Sequence, residues 1–108
     1  MSVTACPIET VAAPAEVVWS VLSRPEAIDR WADAKLVRAI PEGPLAAGQR
    51  IELSAGPLGA FRVWWDIKEV APAEGRIRML VTLPFGVLND ETITWMPLGP
   101  DRCRVQFG

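Results

Sequence analysis

Residues 14–33 read PAEVVWSVLSRPEAIDRWAD. Val17, Val18, Val21 and Leu22 recur at helical spacing and Trp19 widens the apolar stripe, which predicts a short amphipathic helix. Pro14 falls at its first turn, where no N–H is needed, and Ser23-Arg24-Pro25 stops it. Ser23 is placed to cap a second piece with Glu26 in the first turn. Ala27, Ile28 and Trp31 give that piece only two or so turns. Helices this short are unstable alone, so both must rest on an apolar surface supplied by the rest of the chain. The nature of that surface decides between a solid sandwich and a cup.

The remaining chain supplies strands. Residues 3–11 have strand character, with Pro7 pointing to an edge or a bulge; Ile8 and Val11 do not share a simple alternation, so the parity of this strand stays open. Residues 34–40 form the next strand. In 49–55, Ile51 and Leu53 oppose Arg50 and Glu52. In 60–70, Phe61, Val63, Trp65 and Ile67 make one face and Arg62, Trp64, Asp66 and Lys68 the other. Ile77, Met79, Val81 and Leu83 alternate next, then Glu91, Ile93 and Trp95, and last Cys103, Val105 and Phe107. Short connections favour sequential antiparallel pairing, and a sheet this extensive curls. Two small helices can plug only one end of such a face, which favours the cup.

Composition narrows the chemistry. The 108 residues make one domain, 1–108, and half of them are hydrophobic. Eleven Lys and Arg stand among thirteen Asp and Glu, which leaves no basic field for nucleic acid. With no His and no Tyr, His-based triads and His zinc sites are excluded. Gly56, Gly59 and Gly86 are isolated turn glycines rather than a phosphate loop. No cofactor is expected. No run reaches the length of a membrane span and no signal peptide is visible, so the expectation is a cytoplasmic protein without stable membrane insertion. Cys6 and Cys103 lie on the first and last strands and are expected as buried free thiols rather than a disulfide.

Taken in order, these residues resemble the START-like, helix-grip (SRPBCC) superfamily, in its bacterial polyketide cyclase/dehydrase and lipid-transport branch. The resemblance runs from about Val3 to Phe107. It is carried by Val11-Ala12-Ala13-Pro14 with Val18-Trp19, Leu22-Ser23-Arg24-Pro25 and Trp31, then Gly43, Gly48 and Arg50, and Trp65 through Val70 with Pro72. Thr92-Ile93-Thr94-Trp95 and Arg102-Cys103-Arg104-Val105 complete it. It implies an α+β fold: a curved antiparallel sheet of about seven strands, with two short helices between strands 1 and 2, gripping a long C-terminal helix over a ligand cavity. The 108 residues do not contain that helix. The expectations are a domain C-terminally truncated relative to the family, or a cover supplied by another chain, with a homodimer formed through the apolar sheet face.

The expected ligand-binding set is Trp19, Trp31, Phe61, Val63, Trp65, Met79, Val81, Phe85, Leu88, Ile93 and Trp95. Trp19 and Trp31 read first as packing anchors whose indole N–H groups need acceptors if buried. Glu91 is the candidate catalytic carboxylate, since it shares a strand face with Ile93 and Trp95. The competing reading is a strand-end glutamate turned out by a bulge near Asn89-Asp90. Phe85 and Leu88 sit on a loop at the expected mouth, where the simpler reading is a hairpin with a packed phenylalanine and the sharper one a gate or a membrane contact. Trp64 reads as a surface aromatic. The leading functional expectation is binding of a hydrophobic small molecule, a lipid, polyketide or isoprenoid, on the concave face. The alternatives are a cyclase or aromatase using Glu91, or an interaction subunit dimerising through the face of Val63 and Trp65.

Overall fold

The computed structural model describes residues 8–108. Strand β1 (Ile8–Val11) leads into helix α1 (Ala15–Leu22) and a 3-10 turn, Pro25–Arg30. Six strands follow: β2 (Ala34–Ile40), β3 (Arg50–Ala55), β4 (Phe61–Ala71), β5 (Arg76–Thr82), β6 (Leu88–Gly99) and β7 (Arg102–Phe107). They form one antiparallel sheet in the order β1-β7-β6-β5-β4-β3-β2. The chain thus closes β1 onto β7 at one edge and otherwise runs as a meander, as its short turns dictate. Among the described residues no helix follows β7, and no helix is long and apolar enough to cross a membrane.

Registers identify the two faces. Ala39, Ile51, Trp65, Val81 and Asn89 form one row across β2 to β6; Ile67, Met79 and Glu91 form a second; Val70, Ile77, Ile93 and Phe107 a third. The expected alternation therefore places these side chains on one face. The parity of β1 is resolved as well. Val11 pairs with Cys103 and joins the apolar face, whereas Ile8 pairs with Gln106 and is exposed. A register shift between Ile67 and Glu69 lets Val70 return to the apolar face in spite of the odd spacing.

The helical stretch differs from its expected form in two ways. The second piece is a 3-10 turn rather than an α-helix, in keeping with the brevity of the apolar run and the Pro25 start. Ser23 does not cap it: Arg24 is the N-cap residue, without a side-chain cap bond, and the Ser23 hydroxyl instead donates to the carbonyl of Ser20. Pro14 is likewise one position earlier than expected, as the N-cap of α1.

The core is the apolar face beneath these pieces. Val18, Leu22, Ala27 and Ile28 are buried against it, and Ile51, Leu53, Ile77 and Cys103 are completely inaccessible. The β2–β3 connection is tied in by Leu45, whose amide donates to the carbonyl of Ser23, and by the buried Gln49, whose side chain donates to the carbonyls of Pro41 and Gly43. Gly75 turns β4 into β5 at φ +65, and a Cβ there would run into the Trp95 carbonyl oxygen, so only glycine fits. Cys103 is a free thiol, and burial pushes its pKa up. Cys6 lies outside the described residues.

Candidate functional site

Three aromatic side chains meet over the middle of the apolar face. Trp31, at the end of the 3-10 turn, lies 5.6 Å from the ring of Trp65 on β4 and stacks 5.7 Å from that of Phe107 on β7. Strands β4 and β7 are separated by β5 and β6, so in a flat sheet their backbones would stand about 14 Å apart. A single indole reaching both rings shows that the face is concave there. Trp31 is thus a plug dropped into the cup. Its Nε1 is buried and has no hydrogen-bond partner, leaving an unmet polar group of the kind that typically costs about 1–3 kcal/mol.

Trp19 holds the other end. It projects from α1 and stacks on Trp95 at 5.5 Å with the rings 10° from parallel, fixing the helix to β6. Both tryptophans of the opening stretch are therefore packing anchors, as read from the sequence, but only Trp95 is fully covered; Trp19, Trp31, Trp65 and Phe107 remain half-buried.

Glu91 sits on the concave face opposite Met79, between Asn89 and Ile93 on its own strand. The register through Leu88–Thr94 is unbroken, so the bulge that would have turned Glu91 outward is absent. Its Oε2 accepts a bond of 2.9 Å from the Asn89 amide, and the side chain is half-buried. The pair supplies the polar groups at the β6 ends of two otherwise apolar rows. Asn89 was missed as a site residue although its two-residue spacing from Glu91 places both on one face. Phe107 was missed for the opposite reason: its strand face was legible, but only the curl of the sheet brings it to Trp31.

The expected set divides accordingly. Trp31, Phe61, Val63, Trp65, Met79, Val81, Ile93 and Trp95 share the concave face with Glu91, and Trp19 packs on it. Leu88 does not: it pairs with Thr82, which pairs with Trp64, in a row of the convex face. Phe85 is not packed, contrary to the simpler reading, but stands 95% exposed at the tip of its turn. Two surface depressions, of about 440 and about 350 Å³, lie to the sides of this face. The first is lined by Asp33, Lys35 and Ser54, the second by Glu74, Thr94 and Arg104, and neither is lined by Trp65 or Glu91.

The convex face carries the paired charges. Glu52 bridges Arg38 at 2.7 Å and Arg62 at 3.2 Å. Arg50 pairs with Asp66 and lies 4.3 Å over the Trp64 ring, so Trp64 is half-covered rather than free. Arg76 grips Glu69 through two bonds, which hold that carboxyl below its usual range. Among the described residues no cluster of His, Cys, Asp or Glu is suited to hold a metal ion.

The structure resembles norcoclaurine synthase from Thalictrum flavum, solved with dopamine and hydroxybenzaldehyde, with a TM-score of 0.69 and 21% identity over 95% of this chain and 65% of that one. It also resembles a START superfamily protein from Mycobacterium smegmatis (TM-score 0.70, 22% identity, 95% of this chain and 72% of that one). A third relative is CalU16 from Micromonospora echinospora (TM-score 0.68, 18% identity, 94% and 55%). The chain thus spans a little over half to about seven tenths of these proteins, and at such identities the likeness is one of fold. No curated protein matches the chain. Residues 6–108 match the family described as "Polyketide cyclase / dehydrase and lipid transport". With its helix-grip sheet and the two helical pieces between β1 and β2, the chain belongs to that family.

Proposed function

We propose that the protein binds an apolar small molecule, of lipid, polyketide or isoprenoid character, against the concave face bounded by Trp31, Trp65, Phe107 and Glu91. One observation carries this reading: three half-covered aromatic rings converge there, on the face where an oriented carboxylate occupies the row between those of Trp65 and Phe107. Apolar area supplies the affinity, and a single polar group sets the orientation of the ligand. The unpartnered Trp31 Nε1 adds to the picture. A plug that leaves a donor unsatisfied is easier to displace than one that is fully bonded.

The test is titration of a lipophilic fluorescent probe while tryptophan emission is followed. Saturable binding, weakened at least about tenfold by Trp65→Ala, is expected. A linear, unsaturable response in a folded protein would refute the reading.

A second reading is supported by Glu91 itself. A carboxylate on the concave face, oriented by Asn89, is placed to move a proton on a bound polyketone, as in a cyclase or aromatase. With an identified substrate, Glu91→Gln should abolish turnover and leave binding nearly unchanged; undiminished turnover would remove Glu91 from the mechanism. The same open face also fits a homodimer, in which case sedimentation should give twice the mass of one chain.

A further inference from the structure

Two turns of this sheet share one short pattern: Pro57-Leu58-Gly59 joins β3 to β4, and Pro84-Phe85-Gly86 joins β5 to β6. Ala55 pairs with Phe61, and Thr82 pairs with both Trp64 and Leu88, so both turns project from the same end of the sheet. Across the strands they are separated by two spacings, about 10 Å. In each, the central residue has a left-handed backbone, φ 56 at Leu58 and φ 68 at Phe85, a conformation that glycine or asparagine adopts far more readily. Each presents a large apolar side chain wholly to solvent, at 105% and 95% exposure. Val87 and Leu88 beside Phe85 are exposed as well, and Phe61 carries the apolar surface from Gly56 onto the concave face.

We propose that these twin tips dock the protein on the surface of an uncharged lipid bilayer. Neither folding nor packing accounts for them, since each turn sets its largest side chain away from the protein. The two side chains project from separate turns, and a fluid apolar phase accepts such points without matched pockets. Pro57 and Pro84 preset the turns, which lowers the ordering cost of insertion. The charge pattern selects the lipid. Arg62, the nearest cation on β4, is engaged by the Gly59 carbonyl and Glu52, while Lys35 lines the adjoining depression together with Asp29 and Asp33 and Asp90 follows on β6. No basic field draws the tips to anionic headgroups. Docking here would bring the open end of the concave face to the bilayer, but it does not depend on what that face holds.

Flotation of the whole chain with phosphatidylcholine vesicles tests the proposal. Wild type should float with them. Adding 20% anionic lipid or raising salt to 0.5 M should change the bound fraction by less than about twofold. The Leu58→Asn/Phe85→Asn double variant keeps residues that tolerate positive φ and should lose at least about tenfold in partitioning. A Leu58→Gly/Phe85→Gly pair should behave alike, and an unchanged urea midpoint in either pair assigns the loss to the tips. Failure of wild type to float, or equal flotation of the double variants, would overturn the proposal. So would a wild-type dimer that the double variants convert to monomer, because the tips would then meet a second copy of the chain. None of these readouts uses the small-molecule probe, so this inference and the binding function fail separately.

Discussion

The middle of the concave face and its rim carry the same alternation but meet different fates. Ile51, Leu53, Ile67 and Ile77 are at most 1% exposed, whereas Phe61, at the end of the same row of alternating residues as Ile67, is 41% exposed. Strand pattern does not separate them, and hydrophobicity ranks Phe61 with the core. What separates them is cover. Helix α1, the 3-10 turn and the β2–β3 connection lie over the middle, and only Trp31 reaches toward the open side. A face in this fold becomes core or binding surface according to which of its residues the small helical pieces can reach.

Truncation should make the contrast measurable. Ile77→Ala empties a fully enclosed site and should cost about 2–5 kcal/mol. Phe61→Ala removes a larger side chain from a partly solvated position and should cost no more than about 1 kcal/mol. Urea unfolding at pH 7 compares the two. Equal losses would mean that the rim is covered in solution, by a second copy or by another segment, and would end the distinction between middle and rim.

Trp31 sharpens the comparison because it belongs to both regions. Trp31→Ala loses the contacts with Trp65 and Phe107 and should cost about 2–3 kcal/mol. Trp31→Phe keeps an aromatic ring between them and removes the unpartnered Nε1, so its stability should lie within about 1 kcal/mol of wild type. If the phenylalanine variant is as unstable as the alanine one, the indole N–H has a partner in solution and the plug is not strained.

Much of this was legible beforehand because it depends on local rules. Alternation in Ile51/Leu53 and in Val63/Trp65/Ile67 fixed which side chains share a face, and the two tryptophans in 14–33 marked the pieces that cover it. What was not legible depends on distances through space. Phe107 joins the site only because the sheet curls far enough for Trp31 to touch strands three places apart. Leu88 and Asn89 are neighbours in sequence, yet the register sends one to the convex face and the other to the site. A turn of three residues hid that boundary. Phe85 was expected to pack because phenylalanine usually does; a left-handed turn held by Pro84 and Gly86 aims it at solvent instead.

The convex face sets a smaller effect against all of these. Glu69 accepts two bonds from Arg76, and this hydrogen bonding, helped by the charges of Arg76 and Arg78 and opposed by partial desolvation, lowers its pKa from the ordinary value of 4.5. A carboxylate with a depressed folded-state pKa contributes stability that is fully present above the unfolded value. That stability is lost as the pH falls from about 4.5 through the lower folded value. Glu69→Gln should therefore remove part of the acid-side decline in stability below pH 4.5 and, at pH 7, lower stability only slightly, because the pair lies at the surface. Arg76→Gln should do the same, and the double variant should show little further change, since either substitution already breaks the pair. Urea midpoints from pH 3 to pH 7 read the effect. An unchanged acid limb in both single variants would assign the acid sensitivity to other carboxylates.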